Sequence, residues 1–133
     1  MTGTSLDRVR ILAVEDHADT RRLLKLFLEH SGAEVTAVES GRAALQEIQT
    51  RRPDVLICDI GMPGMDGYQL LERIRTLEPN IASVPAIACT AFVTEEDVTH
   101  AFAVGFQAHL AKPFDPDQLA RTIVNVVRTS SEN

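Results

Sequence analysis

Short apolar runs rich in β-branched residues alternate five times with longer amphipathic segments, and that alternation constrains the fold more than any other feature of the chain. The predicted strands are Arg10–Val14, Glu34–Val38, Val55–Asp59, Val84–Thr90 and Ala108–Ala111. Most are continuous apolar runs, the pattern of parallel strands covered on both faces. Right-handed crossovers then require helices on both sides of one sheet, a (βα)5 unit. At 133 residues the chain has room for a single domain.

Local signals place five helices between the strands. The first is expected from about Thr20 to His30, pairing Leu23 with Phe27 and Leu24 with Leu28 at i,i+4 spacing, and stopping at Gly32. The second runs from about Gly41 to Thr50 with Ala44, Leu45 and Ile48 inward, and Pro53 forbids its continuation. A third follows Asp66-Gly67 with Leu70, Leu71 and Ile74 as its stripe. A fourth opens on Thr94 with Asp97 as a capping partner and ends at Gly105. The fifth starts at Asp115-Pro116 and turns Leu119, Ile123, Val126 and Val127 to one side. This reading divides the chain into a tail over 1–9, a domain over 10–128 and a polar, frayed tail over 129–133.

In open parallel sheets ligands bind beyond the carboxyl ends of the strands, so those ends are where chemistry is expected. Strand one ends in Glu15-Asp16, strand three in Asp59, strand four in Thr90, and strand five runs into Lys112-Pro113. Three carboxylates in one crevice repel unless a cation sits among them, and oxygen donors of this kind suit Mg²⁺. A hydroxyl and an ammonium opposite them suit an oxyanion, so the set describes a site for a metal and a phosphoryl group. Lys112 stands out because lysine is rare here: of 13 basic residues only Lys25 and Lys112 are lysines. A compact ammonium follows a moving phosphoryl group where an arginine fork does not. The glycine-rich run 59–67 matches neither a P-loop nor a dinucleotide fingerprint; Gly61, Pro63, Gly64 and Gly67 shape a tight loop beside the site, or only a plain β-α turn.

Val14-Glu15-Asp16, Asp59 with Met62-Pro63 and Met65-Asp66-Gly67, Thr90-Ala91, and Lys112-Pro113-Phe114 together resemble the receiver domain of two-component response regulators. The resemblance implies a flavodoxin-like fold with strand order 2-1-3-4-5 and a cis Lys112-Pro113 bond. It implies that Asp59 accepts a phosphoryl group from the phosphohistidine of a histidine kinase or histidine phosphotransfer protein. Asp16, Asp59 and the Gly61 carbonyl would hold Mg²⁺, with Glu15 acting directly or through water. Lys112, Thr90 and backbone N–H groups near Gly61 and Ala91 would bind the phosphoryl oxygens. The position three before the lysine is usually Tyr or Phe in this family and here is His109. His109 either follows Thr90 inward as the switch or stays solvated while the loop at Thr90 and Ala91 rearranges. Phe92 falls where the family controls access of hydrolytic water.

Net charge of −6 argues against a nucleic-acid backbone or an anionic membrane as partner. No segment has the length and apolarity of a membrane span, and the N-terminus lacks an apolar leader core. Two cysteines, Cys58 and Cys89, sit in apolar strand sequence, which points to a reducing, cytoplasmic setting. The expected output is a switched protein–protein interaction, not steady enzymatic turnover. A phosphatase using an aspartyl-phosphate would resemble Asp-x-Asp, but position 61 is glycine, leaving no second carboxylate as acid/base. A receiver that only docks proteins is disfavoured by the complete set Glu15, Asp16, Asp59, Thr90 and Lys112. The sequence leaves open a free-standing regulator or the C-terminal receiver module of a hybrid sensor histidine kinase, the Val14-Glu15-Asp16 start and the Pro113-Phe114-Asp115-Pro116 run leaning slightly toward the latter style.

Overall fold

The computed structural model describes residues 4–91, 94–113 and 115–131. Phe92 and Phe114 lie outside them. Five parallel strands, β1 (Arg10–Val14), β2 (Glu34–Val38), β3 (Val55–Asp59), β4 (Ala86–Thr90) and β5 (Ala108–Ala111), form one sheet in the order β2-β1-β3-β4-β5. Six helices connect and follow them: α1 (Ala18–His30), α2 (Gly41–Thr50), α3 (Gly67–Ile74), α4 (Pro79–Ala82), α5 (Glu95–Val104) and α6 (Pro116–Ser131). The architecture is the (βα)5 unit expected from the alternation, with the flavodoxin-like strand order that the resemblance implied.

The pleat sorts the core into two layers, because successive side chains on a strand face opposite ways. Leu12, Val14, Leu56, Cys58, Ala86 and Ala88 pack with Ile48, Leu70, Leu71, Ile74 and Phe106 on the α2/α3/α5 side. Ile11, Ala13, Val55, Ile57, Ile87 and Cys89 pack with Leu24, Leu28, Leu119 and Ile123 on the α1/α6 side. Cys58 and Cys89 therefore face opposite layers, both buried and free. Gly32, just past α1, holds φ +106°, the left-handed conformation expected of a helix-ending glycine.

Several local expectations shift. β4 begins at Ala86, later than expected: the Val84 carbonyl accepts from Arg75, and Pro85, which has no N–H, joins the β3 ladder only through its carbonyl, accepting from the Leu56 N–H. The segment before it holds the unexpected one-turn helix α4, started by proline at its first position. Leu23, paired with Phe27 in the sequence reading, is 67 % exposed, while Leu24 and Leu28 carry the inward face of α1. Leu6, in the expected tail, is fully buried and its N–H donates to Ser31 O at 2.7 Å. At the other end α6 continues to Ser131.

Arg75 is the main structural residue that sequence reading missed. Its Nη1 donates to the carbonyls of Ala82 and Val84, both at 2.6 Å, and its Nη2 to Gly105 O at 2.8 Å. One guanidinium thus ties the end of α3 to the entry of β4 and the C-terminus of α5. Burial lowers its pKa from the ordinary arginine value.

Candidate functional site

Register brings the site together. Val14 pairs with Cys58, Asp59 with Cys89, and Thr90 with Ala111, so the residues just past each strand line one edge. The ladder extends beyond β1 and β3: Glu15 N–H donates to Val38 O and Ile60 N–H to Cys89 O, each at 3.0 Å. Past β5, Lys112 N–H donates to Thr90 O at 2.8 Å. These bonds fix the backbone that carries the charged side chains.

Pleat parity divides the set. Glu15, Asp59 and Lys112 continue the alternation of Ala13, Ile57 and Leu110, whose side chains belong to the α1/α6 layer. Thr90 and His109 have the parity of Ala88, which belongs to the α2/α3/α5 layer. The sequence reading put Glu15, Asp16, Asp59, Thr90 and Lys112 on one edge; His109, in register with Ala88, falls on the face of the sheet opposite Glu15, Asp59 and Lys112.

The ionic group is buried, with Glu15 2 % and Asp59 6 % exposed. Lys112 Nζ donates to Glu15 Oε1 and lies 3.2 Å from Asp59 Oδ1. Burial would push the lysine pKa down, but its bonds to Glu15 and Asp59 hold it above the ordinary value and keep it cationic. Burial and the charge of Glu15 raise the Asp59 pKa, with Lys112 opposing. Asp16 behaves otherwise: burial is outweighed by hydrogen bonding with Asp59 and by neighbouring groups, and its pKa falls. Gly61 N–H donates to Asp59 Oδ1 at 3.3 Å. A side chain at Gly61 would meet nothing within 4 Å, whereas a Cβ on Gly67 would lie 2.8 Å from Asp59 O. Gly67, not Gly61, is the glycine that close approach requires.

Glu15, Asp16, His17 and Asp59 each offer a ligand atom within 4.8 Å of the others. Asp16 Oδ1 is buried and accepts no hydrogen bond among the described residues. An acceptor left so in an anionic crevice fits a cation, and hard carboxylate oxygens fit Mg²⁺. Arg21 steadies this corner through its Nη1 donation to Glu15 O at 3.0 Å. His17 was missed in the sequence; its position directly after Asp16 was the available signal.

On the other face, His109 is half-buried, and its Nε2 is buried without a hydrogen-bond partner among the described residues. Burial lowers its pKa, with the Asp97 charge opposing. In the α2/α3/α5 layer, Tyr68 on α3 packs edge-on against His100 on α5 with ring centroids 4.2 Å apart, and its hydroxyl donates to Asp97 O at 3.4 Å. The Lys112–Pro113 bond is cis.

Residues 11–124 match the family model described as the response regulator receiver domain. The chain is 42% identical over 119 residues to a 14.6 kDa protein in the sodA1 3′ region of Leptolyngbya boryana, covering 90% of each. It is 38% identical over 117 residues to the sensor protein GacS of Pseudomonas syringae, covering 86% of this chain and 13% of GacS. Among solved structures, the receiver domain of the sensor histidine kinase PA1611 from Pseudomonas aeruginosa, with a magnesium ion coordinated in its active site cleft, superposes with TM-score 0.83 at 31% identity, covering 91% of this chain and 98% of that one. A sheet in this order, a carboxylate crevice at its carboxyl edge and these matches lead to one conclusion: the chain belongs to the response regulator receiver domain family of two-component signalling.

Proposed function

We propose that the domain, residues 10–128, is phosphorylated on Asp59 by a phosphohistidine of a histidine kinase or histidine phosphotransfer protein, and that this switches its binding to a downstream protein. The observation that carries the reading is Asp59 itself, a buried carboxylate 3.2 Å from the Lys112 ammonium and beside two further carboxylates. An Asp59 carboxylate oxygen attacks phosphorus, a P–O bond forms as the P–N bond to the donor imidazole breaks, and the freed nitrogen takes up a proton from solvent. Asp16, Asp59, Glu15 and the Gly61 carbonyl are the groups that would hold Mg²⁺, which when bound neutralises charge on the phosphoryl oxygens. Lys112 needs to move little to leave Asp59 for a phosphoryl oxygen, with Thr90 and the N–H groups of Gly61 and Ala91 as further donors.

A groove beside the crevice suits the approach of the donor. Leu23, Leu24, Phe27, Ala91, Lys112 and Pro113 line it, so one apolar wall ends at the ammonium. Leu23 and Leu26, 67 % and 58 % exposed, extend that surface along α1. A donor helix seated there brings its phosphoimidazole to Asp59 without exposing the crevice to bulk water. Position 61, where an aspartyl-phosphate phosphatase resembling Asp-x-Asp would carry its acid/base carboxylate, is glycine, which supports the role of acceptor over that of enzyme. On the opposite face, His109 moves with Thr90 as the switch, its neutral ring suited to burial. The setting is cytoplasmic, where the kinase and its phosphodonor chemistry reside; nucleic acid and membrane are not partners of this acidic surface.

The test is Mg²⁺-dependent labelling by a histidine kinase or a small phosphodonor, followed by mass-spectrometric mapping. Asp59→Asn abolishes labelling with the fold intact, and label persisting on another residue overturns the assignment. The similarity to GacS favours a second reading, a receiver module within a hybrid sensor kinase. The mass of the native protein on an immunoblot separates the two.

A further inference from the structure

His17 occupies the N-cap of α1 but does no capping: its side chain makes no hydrogen bond to the helix's free N–H groups. Ser, Thr, Asp or Asn usually takes that position because a short oxygen side chain satisfies those donors. The imidazole instead turns back to the crevice. Its Nδ1 lies 3.3 Å from Glu15 Oε2 and 3.3 Å from Asp16 Oδ1. Its own backbone N–H donates to Glu15 Oε2 at 3.1 Å, which fixes the loop that sets these distances.

Both distances from Nδ1 match the spacing of neighbouring ligands on one small cation. Donors about 2.0–2.2 Å from a first-row divalent metal lie roughly 3.0–3.4 Å from one another at adjacent tetrahedral or octahedral positions. Glu15 divides its carboxylate accordingly, Oε1 accepting from Lys112 and Oε2 facing His17. Asp16 Oδ1 is buried and has no hydrogen-bond donor among the described residues. His17 is 73 % exposed at its side chain, so the ring can adjust without disturbing the core.

We propose that His17 Nδ1 is a protein ligand to the cation held by Asp16 and Asp59, which biases this site from Mg²⁺ toward divalent ions that accept imidazole, such as Mn²⁺ and Co²⁺. The inference rests on the reading of the crevice as a cation site and adds to it the class of ion. Mg²⁺ prefers oxygen and keeps much of its water, so a nitrogen donor contributes little to it. Affinity for nitrogen-containing sites rises from Mn²⁺ to Co²⁺, so the contribution of the ring should rise in the same order.

Isothermal titration of the untagged, EDTA-treated protein with Mg²⁺, Mn²⁺ and Co²⁺ tests this, together with electron spin-echo modulation of bound Mn²⁺. His17→Ala is expected to weaken Mn²⁺ binding about tenfold and Co²⁺ binding more, with Mg²⁺ changing less than about threefold. Modulation from ¹⁴N is expected in the wild type and lost in the variant. Binding of all three ions with equal affinity in wild type and His17→Ala, or with an equal loss for each, overturns the proposal, as does Mn²⁺ bound without ¹⁴N modulation. His17→Gln, which keeps a polar side chain, is expected to behave as His17→Ala toward Co²⁺; full retention would show that nitrogen is not the donor. If wild type and Asp16→Ala alike bind none of the ions, the cation-site reading fails as well, a result distinct from loss of selectivity alone.

Discussion

The two edges of the sheet use the same residue types to opposite ends. At the amino edge Glu34 lies 3.8 Å from Arg10 and 3.6 Å from Arg51, all three side chains half or more exposed, around a cleft with Arg52 and Pro53. Charges there are matched and solvated. At the carboxyl edge Glu15 and Asp59 share Lys112 in a buried crevice, with Asp16 and the exposed His17 beside them. Water screens the first cluster far more than the second, so only at the second does the excess of negative charge stay unbalanced, a setting that suits a cation. Burial and charge imbalance together, not the number of charged residues, mark the working end.

Lys112→Met is the harshest challenge to that contrast, because it strands Glu15 and Asp59 in the crevice. A loss of about 2–3 kcal/mol in denaturant unfolding is expected, short of a fully broken buried pair because Asp59 can take up a proton. Mg²⁺ should restore part of the loss; a variant as stable as wild type without metal would show the crevice to be better hydrated than it looks.

Asp16→Ala comes next. With Mg²⁺ at ten times its Kd the wild type gains about 1.4 kcal/mol by mass action. The variant should gain far less in a thermal melt, and an undiminished Mg²⁺ response would remove Asp16 from the ligand set.

His109 extends the comparison to the far face. The fold lowers its pKa from 6.5, so between that value and the folded one the unfolded chain binds more protons. The stability owed to the neutral ring is therefore complete above 6.5 and lost as pH falls through the folded pKa. Unfolding measured from pH 7.5 to 5.0 should show a steeper loss in wild type than in His109→Gln; parallel curves would mean the ring is solvated in both states.

Smallest of all is Glu34→Gln at the amino edge, expected to cost below about 0.5 kcal/mol and to fade with added salt. A larger, salt-resistant effect would erase the distinction between the edges.

Periodic and local signals made the frame readable from sequence. Strands at Arg10–Val14, Glu34–Val38, Val55–Asp59 and Ala108–Ala111 are where apolar runs placed them, and Thr94 with Asp97 forms the capping box its spacing suggested. The strand-end rule also located Glu15, Asp59 and Lys112, because a parallel sheet leaves its carboxyl ends facing one crevice. Leu23 shows the limit of such reading: α1 carries more apolar residues than one face can bury, and only packing against the sheet chose Leu24 and Leu28.

What the sequence by itself determined was the order of elements and the chemistry available at each strand end, since both follow from periods of a few residues. Tertiary structure alone decided which of those groups meet. Arg75 reaches carbonyls 7, 9 and 30 residues away, and Lys112 reaches Glu15 across 97. The split of Glu15, Asp59 and Lys112 from His109 likewise needed the register, because a one-residue shift would exchange their faces. His17 is the converse case: its neighbourhood with Glu15 and Asp16 was already in the sequence, and only the turn between β1 and α1 decided that its exposed ring bends back to their carboxylates.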